Sequence, residues 1–159
     1  MNKPVTPRRI NPPHYFLTAI VAMLLLAQLP GAAMVPPPWH YAGVIVVLAG
    51  VLIALAASQQ FARAGTNIVP LTPSSALVTT GAFARTRNPM YLGMVLALGG
   101  IALLLNEPWP WLVPVAFVAL LYFRFIRHEE ALMTQTFGDA YLQYKARVRR
   151  WLYDLFQLN

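Results

Sequence analysis

Cysteine is absent from the chain and charge is scarce. The first absence excludes a disulfide framework, a thiolate metal site and a cysteine nucleophile. The second says more about habitat. Charged residues make up 11% of 159, against about 25% in a soluble domain, so the polar surface needed to live in water is missing. Acid is rarest, with five Asp and Glu against twelve Lys and Arg. A net charge of +7 would suit nucleic acid if it were spread over a polar surface, but here the basic residues flank long apolar runs. Anionic membrane lipids are therefore the expected partner, and nucleic acid is not. Internal repeats and low-complexity tracts are lacking too.

What the chain has in abundance is apolar sequence, 58% of all residues. Four apolar segments stand out, at about Tyr15–Leu29, Trp39–Ala57, Met90–Leu105 and Trp109–Ile126. A helix needs roughly 17–25 residues to cross a hydrocarbon core of ~30 Å. Backbone groups find no water there, so the runs read as helices rather than strands. With flanking residues added, they predict transmembrane helices at about 14–30, 39–59, 89–105 and 109–126 of a single membrane domain. The fold class expected is therefore an all-α integral membrane protein of about four spans. A cytoplasmic loop, 60–88, and an amphipathic C-terminal segment, 127–159, complete it.

The basic residues set the orientation. Lys3, Arg8 and Arg9 precede the first segment, Arg63, Arg85 and Arg87 lie between the second and third, and the remaining six follow within or beyond the end of the fourth. The Pro-rich turn Pro30–Pro38 has no charge, and the Asn106–Pro108 turn carries only Glu107. All twelve cations thus share one side, which the positive-inside rule makes cytoplasmic, with both termini there. A rival reading makes the first segment a cleaved signal peptide, because Gly31-Ala-Ala33 follows a basic start and an apolar stretch. Trp39, Trp109 and Trp111 in the opposite turns suit the headgroup level.

The cytoplasmic stretches hold the candidate chemistry. Between the second and third segments, Gly65, Pro70, Pro73 and Gly81 predict loop, and apolar Ile68, Val69, Leu71, Leu77, Val78 and Phe83 predict that it folds against the helix ends. After the fourth segment, Gly138 reads as a helix stop and Asp139 as the next N-cap. Tyr141, Tyr144, Val148, Trp151, Leu152 and Leu155 then recur at helical spacing, predicting a helix on an anionic membrane surface or packed on the loop.

Two constellations could carry function. Pro89 suits the first turn of a helix, which puts Arg87 and Asn88 at its entrance, where backbone donors and a guanidinium fork attract anions. Loop arginines beside a membrane helix also simply bind headgroups. The second is Arg127-His128-Glu129-Glu130, whose adjacent carboxylates face a cavity, a ligand or the nearby Arg124 and Arg127. His14, His40 and His128 are scattered, so no metal is expected. Together the two motifs outline one cytoplasmic pocket that would suit a zwitterionic cofactor with a purine ring and a positive centre.

The block Leu77–Gly93, containing Arg87-Asn-Pro-Met-Tyr-Leu-Gly93, is followed after two helices by Glu129-Glu-Ala-Leu132 and Phe137-Gly-Asp-Ala-Tyr-Leu-Gln-Tyr144. This succession resembles the isoprenylcysteine carboxyl methyltransferase family, whose relatives include membrane phospholipid N-methyltransferases. The likeness covers about Phe61–Trp151. It implies methyl transfer from S-adenosylmethionine to a lipid-like or hydrophobic acceptor, as carboxylate O-methylation or amine N-methylation. By motif position it implies a cofactor set of Ser75, Ala76, Leu77, Val78, Phe83, Asn88, Pro89, Met90, Tyr91 and Glu129. Glu130 would help, and Arg124, Arg127 and Glu130 are the catalytic candidates, with either arginine orienting the acceptor. Two positions depart from the prenylcysteine enzymes: Asn88 replaces a histidine, and Phe125 stands where they have a substrate-binding arginine. Alternatives from other classes are an NADPH-dependent sterol-type reductase, which usually has Asn-Tyr where this chain has Met90-Tyr91, and a non-catalytic accessory protein.

Overall fold

The computed structural model describes residues 11–66 and 74–152. Lys3, Arg8, Arg9, Ile68, Val69, Pro70, Leu71, Pro73 and Leu155, all invoked above, lie outside the described residues. Among the described residues the regular structure is helical, with no strand. It comprises α1 (Pro12–Leu26), α2 (Ala42–Arg63), α3 (Pro89–Leu105), α4 (Leu112–Leu121), α5 (Arg127–Phe137) and α6 (Asp139–Arg147). Two continuous helical runs, Trp39–Arg63 and Trp109–Phe137, are long and apolar enough to cross a membrane, while α1 and α3 are shorter apolar helices.

Packing is inside-out relative to a soluble bundle. In α2 the buried residues are Gly43, Gly50 and Ala57, seven apart on one face, whereas Ile45 and Leu52 are 71% and 65% exposed. Gly50 and Gly43 lie backbone to backbone against Gly93 and Gly100 of the antiparallel α3, so close that a Cβ on any of the four would overlap the facing helix. Small residues that let backbones approach are the usual adhesive between helices that have no hydrophobic gain from meeting each other. α1 packs on α3, α4 and the Trp109–Trp111 turn, while α2 rests chiefly on α3. A gap is left between α1 and α2, floored by α3.

Three boundaries differ from the sequence expectation. α2 runs on to Arg63, so Phe61–Arg63 is helix rather than loop. The fourth helix does not stop at Ile126. It passes through one π turn, Tyr122–Ile126, and continues to Phe137. α6 ends at Arg147, because Val148 is extended (φ −117°, ψ 127°) and the chain turns back as a strap. Trp151 and Leu152 therefore do not extend the α6 face. The strap's carbonyls instead receive donors before α3: the Arg87 N–H reaches Arg149 O at 2.9 Å, and Thr86 Oγ1 and Asn88 Nδ2 reach Arg150 O at 2.9 and 3.1 Å. Gly138 (φ 50°) does break α5 from α6, a backbone state that favours glycine.

At the opposite end Asn106 terminates α3 in the left-handed conformation (φ 55°). Its side-chain amide pairs both ways with Val35, accepting from the N–H and donating to the carbonyl at 2.9 Å each. Trp109 Nε1 donates to Pro30 O at 3.0 Å, which ties the two short turns together.

Candidate functional site

A cavity of about 560 Å³ opens at the end where α3 begins. Its walls come from α1 (Phe16), α2 (Gly50, Ala54, Ser58), α3 (Tyr91, Met94) and α5 (Glu129), with α6 contributing Tyr141 and Tyr144 as a roof. The Pro89 start of α3 is fixed by proline at the first helical position, where a missing N–H costs nothing. That places Asn88, Pro89, Met90 and Tyr91 together on the cavity wall. From Phe61 to Gly50 is eleven residues of α2, so the cavity follows that helix inward for about 16 Å.

Tyr91 donates its hydroxyl to Glu129 Oε1 at 2.7 Å. Phe125, buried and facing inward from the π turn, packs behind the Tyr91 ring with centroids 6.3 Å apart. A π turn adds a residue to one helical turn and rotates everything after it. Here it brings Phe125 and Ile126 into the core while Glu129 reaches the cavity and Glu130 the roof contacts. Among the described residues no cation lies within ion-pair distance of Glu129; its one hydrogen-bond partner is neutral.

Glu130 has the opposite surroundings. Arg150 grips it through Nε–Oε1 (2.9 Å) and Nη2–Oε2 (2.8 Å), and Arg87 Nη2 lies 3.0 Å from Oε1. Arg87 also donates to Lys145 O at 3.2 Å. Glu130 thus fastens three parts of the chain: the α3 entrance, α5 and the C-terminal strap. This hydrogen-bonded pairing pushes the Arg150 guanidinium above its ordinary value. Tyr144 closes the roof by donating to Phe83 O at 2.7 Å. Burial pushes its hydroxyl up to about 12, partly opposed by Arg87, so it stays a donor at any physiological pH.

Of the residues singled out in the sequence, Leu77, Val78, Phe83, Asn88, Pro89, Met90, Tyr91, Glu129 and Glu130 line this one cavity. Phe83 is buried and packs on the tilted ring of Phe61, with centroids 4.8 Å apart. Ser75 and Ala76 do not line it: their N–H groups donate to Thr66 Oγ1 at 3.0 and 3.4 Å, and Ser75 Oγ donates to Gly65 O, so they pin the loop to the end of α2. Arg124 and Arg127 are exposed and are not brought to the cavity, because the π turn directs them outward. Sequence reasoning missed Arg150 and Tyr141. Tyr141 sat in the quoted C-terminal motif and on the apolar face of α6, which was the available signal; Arg150 had none beyond its charge.

The phospholipid methyltransferase family model matches residues 38–140, more than half of the chain. The chain belongs to that family. Membership implies a membrane-associated methyltransferase acting on lipid-like substrates. An uncharacterized protein of Haemophilus influenzae is 38% identical over 63 residues, which cover 40% of this chain and 100% of that protein. No solved structure matches.

The residues at the cavity fit a sulfonium cofactor bearing an amino-acid group. Glu129 offers a carboxylate with no cation of its own, Phe83 and the apolar walls offer packing for a purine, and the lining is otherwise nearly neutral. The alternative, an NADPH-dependent sterol-type reductase, would place phosphates in the cavity. Of the described cations, only Arg87 lines it, and that arginine is already held by Glu130 and Lys145 O.

Proposed function

We propose that the chain is a multi-pass membrane methyltransferase that uses S-adenosylmethionine and delivers the methyl group to a hydrophobic acceptor arriving from the bilayer. The observation that carries the reading is Glu129: a carboxylate on the cavity wall, hydrogen-bonded to a neutral tyrosine and unpaired with any described cation. When bound, the cofactor supplies an electrophilic methyl carbon: an acceptor lone pair forms the new bond as the carbon–sulfur bond breaks and a neutral thioether leaves.

The chain's own part is binding and alignment. Glu129 holds the cofactor's ammonium, oriented by Tyr91, which Phe125 supports from behind. Leu77, Val78 and Phe83 pack on the purine, with Asn88, Pro89 and Met90 forming the adjacent wall. The α1–α2 gap admits the acceptor's apolar part along Gly50 and Ala54, and the roof of α6 and the strap excludes water. Holding donor and acceptor at near-attack distance supplies much of the rate in such an in-line displacement. A carboxylate acceptor is ionised at neutral pH and needs no base, whereas a protonated amine must first lose a proton. The described basic residues lie at the cofactor end, so the cofactor enters from the cytoplasm, with both termini on that side. Anionic lipids hold that face.

Titration calorimetry in detergent tests this. The wild-type protein binds S-adenosylmethionine and not NADPH, and Glu129→Gln weakens binding by about 10–100-fold, the worth of a charge-assisted hydrogen bond. Unchanged affinity would remove Glu129 from the site, and preference for NADPH would overturn the methyltransferase reading. Transfer of labelled methyl to total membrane lipid then identifies the acceptor.

A further inference from the structure

One hydroxyl on the cavity wall, that of Tyr141, is without a partner among the described residues. Tyr141 is 3% exposed and lines the cavity from the roof. Its hydroxyl makes no hydrogen bond to any described residue, unlike that of Tyr144 one turn later, which is satisfied by Phe83 O. The hydroxyl opens onto the cavity instead of being sealed in protein, so a bound group can reach it and supply the missing hydrogen bond. Its surroundings indicate what kind of partner. Tyr141 lines the cavity together with Arg87 and Glu130, two members of the clamp that closes the roof. Glu130 divides itself between two arginines, and Arg87, whose side chain is 8% exposed, still has an Nε–H with no acceptor. The same cavity wall therefore holds a neutral donor and a guanidinium with spare donor capacity, which is the chemistry of a carboxylate site. Glu129, a cation acceptor, lines the same cavity from α5.

We infer that the Tyr141 hydroxyl, backed by Arg87, receives the carboxylate of the same amino-acid group whose ammonium Glu129 holds. This deepens the methyltransferase reading and rests on it. Tyr141 is then a discriminating residue: it separates a nucleoside carrying a full zwitterion from one lacking the carboxylate. Because that carboxylate would meet both α6 and the α3 entrance, its arrival also tightens the roof.

The test uses Tyr141→Phe, which removes only the unpaired oxygen and should leave thermal stability in detergent within error of wild type. Two thioether ligands are titrated by calorimetry, S-adenosylhomocysteine and its decarboxylated analogue. Tyr141→Phe is expected to bind the first about tenfold more weakly and the second as wild type does. Arg87→Lys keeps the charge but loses the fork and its ties to the roof, so it should weaken both ligands, the carboxylate-bearing one by more. Equal weakening for both ligands, or none for either, overturns the assignment while the methyltransferase reading stands. Failure of wild type to bind either ligand overturns that reading and the assignment with it.

Discussion

Replacing Glu130 by glutamine should open the roof without touching the cofactor's ammonium site. The side chain keeps its shape, but one oxygen becomes an amide NH2 that must face a guanidinium, and the charge shared by Arg87 and Arg150 disappears. Three charge-assisted contacts of 2.8–3.0 Å are affected. Breaking a buried pair by removing one partner costs about 3–5 kcal/mol. The arginine heads keep some access to solvent, and glutamine retains one acceptor, so screening lowers the figure to about 2 kcal/mol. The loss is local: it frees the strap from α5 and leaves the α2–α3 packing alone. An opening equilibrium shifted by 2 kcal/mol populates the open form about 30-fold more. Limited trypsinolysis reads this directly, since Lys145, Arg147, Arg149 and Arg150 cluster there and cleavage follows the open population when closing is fast. Glu130→Gln should be cut in this stretch about 30 times faster than wild type, and Glu129→Gln at the wild-type rate. Equal cleavage of all three proteins would refute the clamp.

At the α2–α3 crossing, Gly93→Val should lower detergent stability by about 2 kcal/mol or more through overpacking. Gly99→Ala on the same helix, where an added Cβ meets nothing, should raise it by up to about 1 kcal/mol; equal effects in a melting assay would count against the glycine contact. Asn106→Leu loses both bonds to Val35 and strains a positive φ, costing about 2–3 kcal/mol by the same assay. The cysteine-free chain suits topology mapping: Ala33→Cys should react with an impermeant maleimide from outside intact cells, and Ala146→Cys only after permeabilisation. The reverse pattern would refute the orientation.

The helices were legible because apolar run length and proline placement are local signals, and Pro89 set the start of α3 to the residue. The cavity's α3 wall was legible for the same reason. The π turn was not. Nothing in Tyr122–Ile126 marks an extra residue per turn; it forms because Phe125 gains packing against Tyr91 and Tyr15 across the bundle and Ile126 gains burial in the core. Its effect is to part Glu129 from Glu130 in role and to turn Arg124 and Arg127 away from the cavity, where sequence reasoning had grouped all four. The strap hid for a related reason. Val148–Leu152 keeps the apolar spacing of α6, but the donors of Thr86, Arg87 and Asn88 lack partners unless the chain turns back to supply carbonyls. That demand lies some sixty residues away in sequence, beyond any local pattern.

The glycine crossing and the cavity are two results of one choice of residue. Gly50 and Gly93 let α2 and α3 meet backbone to backbone, and Gly50, Gly93 and Ala54 also line the inner reach of the cavity. Larger side chains there would both push the helices apart and fill the space beside Tyr91. Small residues also make α2 adhere to α3 without help from α1, which leaves the α1–α2 side unsealed. In water such an opening would expose apolar wall to solvent at a cost of roughly 25 cal/mol for each Å². Against lipid tails that penalty vanishes, so a membrane helix pair can keep a lateral opening that a soluble bundle would collapse. On the proposed reading this reconciles a polar cofactor with a hydrophobic acceptor: one enters past the roof, the other between helices, and they meet at Tyr91.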